Sequence, residues 1–592
     1  MARLRKRPAR RSNWMALGTR EFEAGRLLRA RQFFEKAHRT APRDAAPLVQ
    51  LARTMERSGE IDAAIIHLTR AVKLRPDDET AVRSLSRIVR MVALDDYTGL
   101  DPAGLRAALS APNVDQQRLS EVAIGYLRDA HGLVAQTDPG ALIVKRTADV
   151  LGDSLLHRAL ASGVNKSIDV EWLLTGLRRA LLLEVPAERF TDRDLFAFAV
   201  ALAQQCQLND HVFATTPEEE ERLAALEIDP AALKDGDADA GRVLLLHLLY
   251  APLRQVAAPH LTPADGPKLR PKPLSEMLTP LLEGEAERLR LADTIPSLGT
   301  ISDSTSLTVA AQYETSPYPR WSSLHMPVKG GARRTLSRFF QGARLGFMDE
   351  AFDVLIAGAG TGQHAIASAM SYGPAASVTA IDLSRTSLAY GKWMAEALGA
   401  DRITFAQADI LDLPEKNGPY HIIEAVGVLH HMADPLAGWR VLLDRLQPGG
   451  LMLMGLYSRA SRANLGHVRE HPAYPGPGCT DMEARAFRAQ LIADRTDETL
   501  FDSADFYTLN EFRDLVLHAQ ETAFALDDIA AFLDAQKLTF GGFVTSGPVW
   551  RRFCEAFPDS AWPGRLEDWA AFESDNPRVF DGMYTFWCAR PD

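Results

Sequence analysis

The chain has 592 residues, too many for one hydrophobic core, and typical domain sizes divide it into about three or four units. It is 46% apolar and 24% charged, and the apolar run VLLLHLLYAPL from Val243 is broken by His247 and Pro252, short of the roughly 18 to 20 residues of a bilayer span. A net charge of −11 excludes a surface that is basic as a whole, so contact with a polyanion would be local. Cys206, Cys479, Cys554 and Cys588 lie too far apart for CxxC or CxxxC pairs, which argues against a disulfide framework and a cysteine metal site. A reducing, cytoplasmic location, no membrane contact and no metal are therefore expected.

The opening MARLRKRPARR carries six basic residues with no apolar block after them, which fits a solvated tail or a nucleic-acid arm and not a secretory signal. Trp14, Leu17, Gly18, Gly25, Ala30, Phe34, Ala37 and Pro42 then recur at an offset of 34 as Leu48, Leu51, Ala52, Gly59, Ala64, Leu68, Ala71 and Pro76. A third copy begins with Val82, Leu85 and Ser86. This pattern resembles the tetratricopeptide repeat, which implies stacked antiparallel helix pairs over 1–95 and a groove for a protein or peptide, or else a spacer. Fewer than three complete copies bury their faces poorly, so the helices after them are expected to cap them.

Residues 96–295 read as a helical domain: EVAIGYLRDAHGLV, VEWLLTGLRRALLLE and RDLFAFAVALAQQCQ place apolar residues three and four apart. APHLTPADGPKLRPKP, from Ala258, has five prolines and reads as a linker or strap. Residues 296–350 form a linker or lid containing QYETSPYPRW, where X-Pro-Tyr-Pro extends the backbone and presents Tyr318, Arg320 and Trp321 as a strip. Tyr313, Glu314 and Tyr318 are candidate lid residues; a strip that only ties the helical domain to the next one is the alternative.

After residue 350, short β-rich runs alternate with helical ones at about 25-residue spacing, which predicts a parallel sheet with helices on both faces. FDVLIAGAGTGQHAIA puts Gly358, Gly360 and Gly362 after the first strand and at the mouth of the first helix, where ligands of doubly wound sheets lie. A dinucleotide site wants Gly or Ala where this chain has Gln363. Asp382 ends the second strand in AIDLS, Asp409 ends the third in FAQADILDLP, GVLHHMADP follows the fourth, and LQPGGLML leads into the fifth.

In this order the segments resemble the class I methyltransferases that use S-adenosylmethionine, and with the repeats the chain resembles a bacterial group in which tetratricopeptide repeats are fused to such a domain. The resemblance implies an all-α half and then a Rossmann-like α/β domain at 351–592 with a seven-stranded sheet. It implies S-adenosylmethionine held by Gly358, Ala359, Gly360, Thr361, Gly362, Asp382, Leu383, Asp409, Ile410 and Ala425, with Asp382 on the ribose hydroxyls and Asp409 on the adenine amino group. Two positions before Gly358 the family often has an acidic residue where this chain has Ile356; carbonyls near Ala425, or Glu314, are the candidate substitutes.

Methyl transfer from a sulfonium asks the protein to position a nucleophile and keep water out, with a base where the acceptor carries a proton. His430, then His431, and Tyr313 are the candidate catalytic residues, and Asp514 and His518 face either the pocket or each other. The leading function is a methyltransferase acting on a protein or peptide recruited by the repeats. The alternatives are a small-molecule methyltransferase whose repeats serve docking or oligomerisation, and an adaptor with a vestigial cofactor site. Nucleic-acid methylation is the weakest reading, because EAVGVLHH stands where an Asn/Asp-Pro-Pro-aromatic motif would come after the fourth strand.

Overall fold

The computed structural model describes residues 13–592 apart from 92, 93, 95, 113, 135, 136, 146, 316–320, 322, 323, 325, 326, 328, 416, 497, 519, 520 and 581. The repeats are the helices α1 (Trp14–Glu23), α2 (Leu27–Thr40), α3 (Ala46–Ser58), α4 (Ile61–Leu74) and α5 (Glu79–Val89). α1 packs on α2, and α3 on α4. The positions that recur at the 34-residue offset are the ones this pairing buries: Ala30, Phe34 and Ala37 on α2, and Ala64, Leu68 and Ala71 on α4. Pro42 and Pro76 stand two residues past α2 and α4, where a ring without an N–H stops a helix.

The same apolar cluster continues from Ala30 to Leu282, so the helices after the repeats cap them. They include α6 (Ile168–Leu183), α7 (Arg193–Leu208) and α8 (Lys272–Ala292), and the proline-rich stretch before α8 contains a 3-10 turn at Pro263–Lys268. A further helix, α9 (Ser304–Thr315), leads to the sheet.

Seven strands, β1 (Phe352–Ala357), β2 (Ala376–Asp382), β3 (Ile403–Gln407), β4 (Tyr420–Val426), β5 (Leu446–Tyr457), β6 (Thr539–Phe543) and β7 (Met583–Ala589), are ordered β3-β2-β1-β4-β5-β7-β6. Only β7 runs against its neighbours. Alternate residues enter opposite apolar layers, Phe352, Val354 and Ile356 one and Leu355 and Ala357 the other, which is why the strand is apolar almost throughout. α10 (Gln363–Tyr372) and α11 (Arg385–Leu398) connect the first strands. The order reverses between β1 and β4, and a crevice opens at their carboxyl ends.

Between β5 and β6 the chain leaves the sheet. Ser458 and Phe524 pair side by side, with Arg459 N–H donating to the Phe524 carbonyl and Phe524 N–H to the Tyr457 carbonyl, both at 2.8 Å. The excursion thus opens and closes at one point. Its Leu465, Phe487, Leu491, Phe506 and Phe512 belong to the apolar cluster of the repeats, and it contains α12 (Asp481–Asp494) and α13 (Leu509–Val516). Arg488 on α12 donates to both carboxylate oxygens of Glu171 on α6, at 2.5 and 2.9 Å, with both side chains buried. This corrects the expectation that everything from 351 to 592 packs as one domain. Helical periodicity in 481–516 reports an apolar face and not which core receives it. Among the described residues no helix is long and apolar enough to cross a membrane.

Candidate active site

The turn after β1 is fixed by close approach. Gly358 has φ +74°, and a Cβ on it would stand 2.5 Å from Cβ of Val428 in the turn after β4. Gly362 has φ +82°, and its Cβ would meet the Gly391 Cα of α11 at 2.7 Å. L-residues resist that backbone region, so both positions need glycine for dihedral and for space. Gly360 N–H donates to Asp382 Oδ2 at 2.8 Å and Ser384 N–H to Oδ1 at 3.0 Å, tying the glycine turn to the end of β2. Burial raises the Asp382 pKa, while these N–H groups favour its charge. Trp321 fastens the turn from outside: its indole N–H lies 3.2 Å from the Thr361 carbonyl and 3.1 Å from Thr361 Oγ1.

A cavity of about 290 Å³ runs along the carboxyl ends of the strands. Its β2–β3 end is lined by Asp382, Leu383, Asp409 and Ile410, its centre by Gly358, Ala359 and Gly360, and its β4–β5 end by His431, Tyr457 and Asp514. Asp409 is 3% exposed; Oδ1 accepts from Leu411 N–H at 3.0 Å, and Oδ2 has no hydrogen-bond partner among the described residues. Asp409 lines the cavity, and a buried carboxylate oxygen left unsatisfied by the described residues is an acceptor in want of a donor. The adenine amino group is such a donor, and Asp382 at the neighbouring strand end is placed for two ribose hydroxyls. The residues therefore fit an adenosine ligand.

At the centre stands a pair that the sequence motifs did not reveal. Glu424 on β4 accepts from Ser368 Oγ at 2.7 Å and from the Tyr372 hydroxyl, and its Oε2 lies 2.5 Å from Nε2 of His364, which lines the cavity. Burial opposes charge on both groups, but the attraction between them prevails, raising the His364 pKa and lowering that of Glu424. The signal was present: a lone carboxylate inside the apolar run HIIEAVGV.

The first-choice histidine is corrected. His430 is fully buried, its ring stacks on Tyr457 with centroids 3.6 Å apart, and neither ring nitrogen makes a hydrogen bond among the described residues. Burial drives its pKa well below the ordinary histidine value, with His431, Arg462 and His518 adding to the shift. A neutral ring behind the wall forms no part of the cavity. His431 reaches the cavity, with Nε2 3.6 Å from Asp514 Oδ1, and Tyr457 Oη donates to Asp514 Oδ2 at 2.9 Å. His518 lies past the end of α13 with Nε2 3.9 Å from the same Oδ1.

Of the other expected residues, Thr361, Gly362 and Ala425 do not line the cavity; Thr361 faces Trp321, Gly362 faces α11 and Ala425 is enclosed in β4. Glu314 does not reach in: its carboxylate accepts from the backbone N–H of Arg385 and Thr386 at the start of α11, at 2.6 and 3.2 Å. The side chain of Tyr313, and Tyr318 and Arg320 entirely, lie outside the described part of the chain. From the proposed lid, Asp303, Thr305, Ser306 and Val309 of α9 and its approach face the cavity instead.

Residues 354–450 match the family model for a methyltransferase domain, and residues 21–88 match that for a tetratricopeptide repeat. An uncharacterised protein of Synechococcus sp. is 31% identical over 181 residues, 29% of this chain and 43% of that one. Among solved structures, PKMT2 from Rickettsia typhi in complex with AdoHcy is similar at 15% identity and TM-score 0.33, over 44% of this chain and 53% of that one. A SAM-dependent methyltransferase from Aquifex aeolicus is similar at 12% identity and TM-score 0.23, over 43% of this chain and 92% of that one. The chain thus spans about half the length of the first relatives it matches. With the seven-stranded Rossmann-like sheet and its glycine turn, the two family matches describe a tetratricopeptide repeat region joined through further helices to a methyltransferase domain.

Proposed function

We propose that the chain is an S-adenosylmethionine-dependent methyltransferase whose acceptor is a protein or peptide recruited by the repeat region. The observation that carries the cofactor is Asp409, which lines the cavity one strand from Asp382 and whose buried Oδ2 no described residue satisfies. The acceptor class is supported by cavity size: about 290 Å³ is at the low end for a single small-ligand site, so the acceptor group enters from outside, as a side chain on a larger molecule does.

Bound there, the cofactor supplies an activated methyl group on a sulfonium. Asp382, Asp409 and Ile410 at the ends of β2 and β3 would hold its adenosine end, and Gly358 to Gly360 would leave room for the rest of it. The remaining wall, His431, Tyr457 and Asp514 over β4 and β5, is where the acceptor atom arrives and gives up any proton it carries. Nothing in this scheme needs a covalent enzyme intermediate.

Labelled methyl transfer from S-adenosylmethionine into a fractionated cell extract tests the reading. Label in protein is the expected outcome, and label confined to small molecules or nucleic acid overturns the acceptor class. Leu17 and Leu28 on the first repeat are 38% and 72% exposed, so a Leu17→Glu/Leu28→Glu chain should raise KM for a labelled protein about tenfold, with S-adenosylhomocysteine affinity unchanged.

A further inference from the structure

We propose that His431, Asp514 and His518 form a binding site for one divalent transition-metal ion, zinc in the first instance, at the acceptor end of the cavity. The three offer ligand atoms that all lie within 4.8 Å of one another. Nε2 of His431 and Nε2 of His518 are 3.6 and 3.9 Å from Asp514 Oδ1, and the two imidazole rings lie 4.1 Å apart at 32°. Ligands at about 2.1 Å from zinc stand about 3.0 to 3.4 Å from each other, so a contraction of a few tenths of an ångström brings each imidazole to the carboxylate, and the two imidazole nitrogens, within 4.8 Å of one another, close on the ion by side-chain rotation.

The carboxylate is prepared for that role. Oδ2 is held by the Tyr457 hydroxyl at 2.9 Å, while Oδ1, the atom nearest both imidazoles, is buried and makes no hydrogen bond among the described residues. A hydrogen bond to the non-ligating oxygen is the outer support that metal-binding carboxylates carry. Arg462, which lies over the Tyr457 ring at 3.6 Å, is paired with Glu521 at 3.2 Å, which limits its repulsion of an ion. Two imidazoles and one carboxylate suit zinc or ferrous iron, and three protein ligands leave a position for an outside group. His431 and Asp514 line the cavity, so that position faces it. The cysteine spacing could not reveal this site, because its ligands come from the turn after β4 and from the excursion between β5 and β6.

The use of the ion, though not its binding, rests on the methyltransferase reading. An acceptor oxygen or sulfur bound to the ion loses its proton to solvent more readily, then forms a bond to the methyl carbon as the carbon–sulfur bond breaks and its electron pair goes to sulfur.

The test uses the full chain, freed of metal by chelator dialysis and titrated with zinc chloride by calorimetry and with cobalt(II) chloride by visible absorption. One ion per chain at a Kd of about 1 µM or tighter is expected, weakened at least about 100-fold in Asp514→Asn and in His518→Gln and unchanged in the exposed-histidine control His260→Ala. Absence of saturable binding up to about 1 mM, or equal binding by the folded Asp514→Asn and His518→Gln chains, overturns the site. Circular dichroism establishes that each variant is folded. S-adenosylhomocysteine binding on the same samples separates the two readings: if it binds and zinc does not, the ion site falls, and if zinc binds and it does not, the ion site stands and the methyltransferase reading falls.

Discussion

Glu424 on β4 lies beside Ile356 on β1 in the parallel register of the two strands. The carboxylate that related domains often carry two residues before the first glycine is thus present one strand away, and it is held by His364, Ser368 and Tyr372. An acid thus stands beside the crevice, paired with His364 of the first helical turn of α10.

The pair gives stability a defined pH window. The folded pKa of His364 is raised, so its contribution is complete below its ordinary value of 6.5 and fades as pH rises through the folded one. That of Glu424 is lowered, so its contribution is complete above 4.5 and fades as pH falls through the folded one. The pair therefore stabilises most between these ordinary values. Glu424→Gln should lower stability by about 1–3 kcal/mol near pH 6, less than for a fully buried pair because the His364 side chain is 41% exposed, and should flatten the alkaline limb of a Tm against pH profile.

Asp382 serves both cavity and loop, since its oxygens accept from Gly360 and Ser384. Two charge-assisted bonds to a ribose are worth about 3 kcal/mol together, so Asp382→Ala should weaken S-adenosylhomocysteine binding about 100-fold by calorimetry. Unchanged affinity would remove adenosine from this end of the crevice.

Trp321 acts on the same loop without facing the cavity. Trp321→Phe keeps the ring against Tyr390 and deletes the N–H that reaches Thr361. Loss of about 1 kcal/mol of loop positioning should raise the cofactor Kd about fivefold, with little change in kcat at saturation.

Arg488 and Glu171 join the excursion to the helical half in a buried, bidentate pair. Removing one partner leaves an uncompensated buried charge, so Arg488→Met or Glu171→Gln alone should cost about 3–5 kcal/mol by denaturant unfolding. The double substitution should recover a large part of that loss. Additive losses would place the two charges in separate environments.

The repeats and the α/β class of the second half were legible because both are periodic signals: a 34-residue offset fixes which small residues recur, and alternating runs at about 25-residue spacing point to a sheet with helices on both faces. Asp382, Asp409, Gly358 and Gly360 were legible as cavity residues because each follows closely on a strand end, where position along the chain specifies position in the crevice. His430 misled because two adjacent histidines after β4 look alike in sequence, whereas the 3-10 turn Leu429–His431 sends one inward onto Tyr457 and the other toward the cavity. Tyr457 and Asp514 are brought together over 57 residues of separation, and no local pattern carries that information.

The loop-out between Tyr457 and Phe524 means that the chain cannot be divided at residue 350 into two self-contained halves. A fragment beginning at β1 would carry Phe487, Leu491, Phe506 and Phe512 with nothing to cover them, and would be sticky in water. Asp514, between neighbours Phe512, Leu515 and Val516 of that same greasy layer, thus ties one wall of the cavity to the core that begins in the repeats.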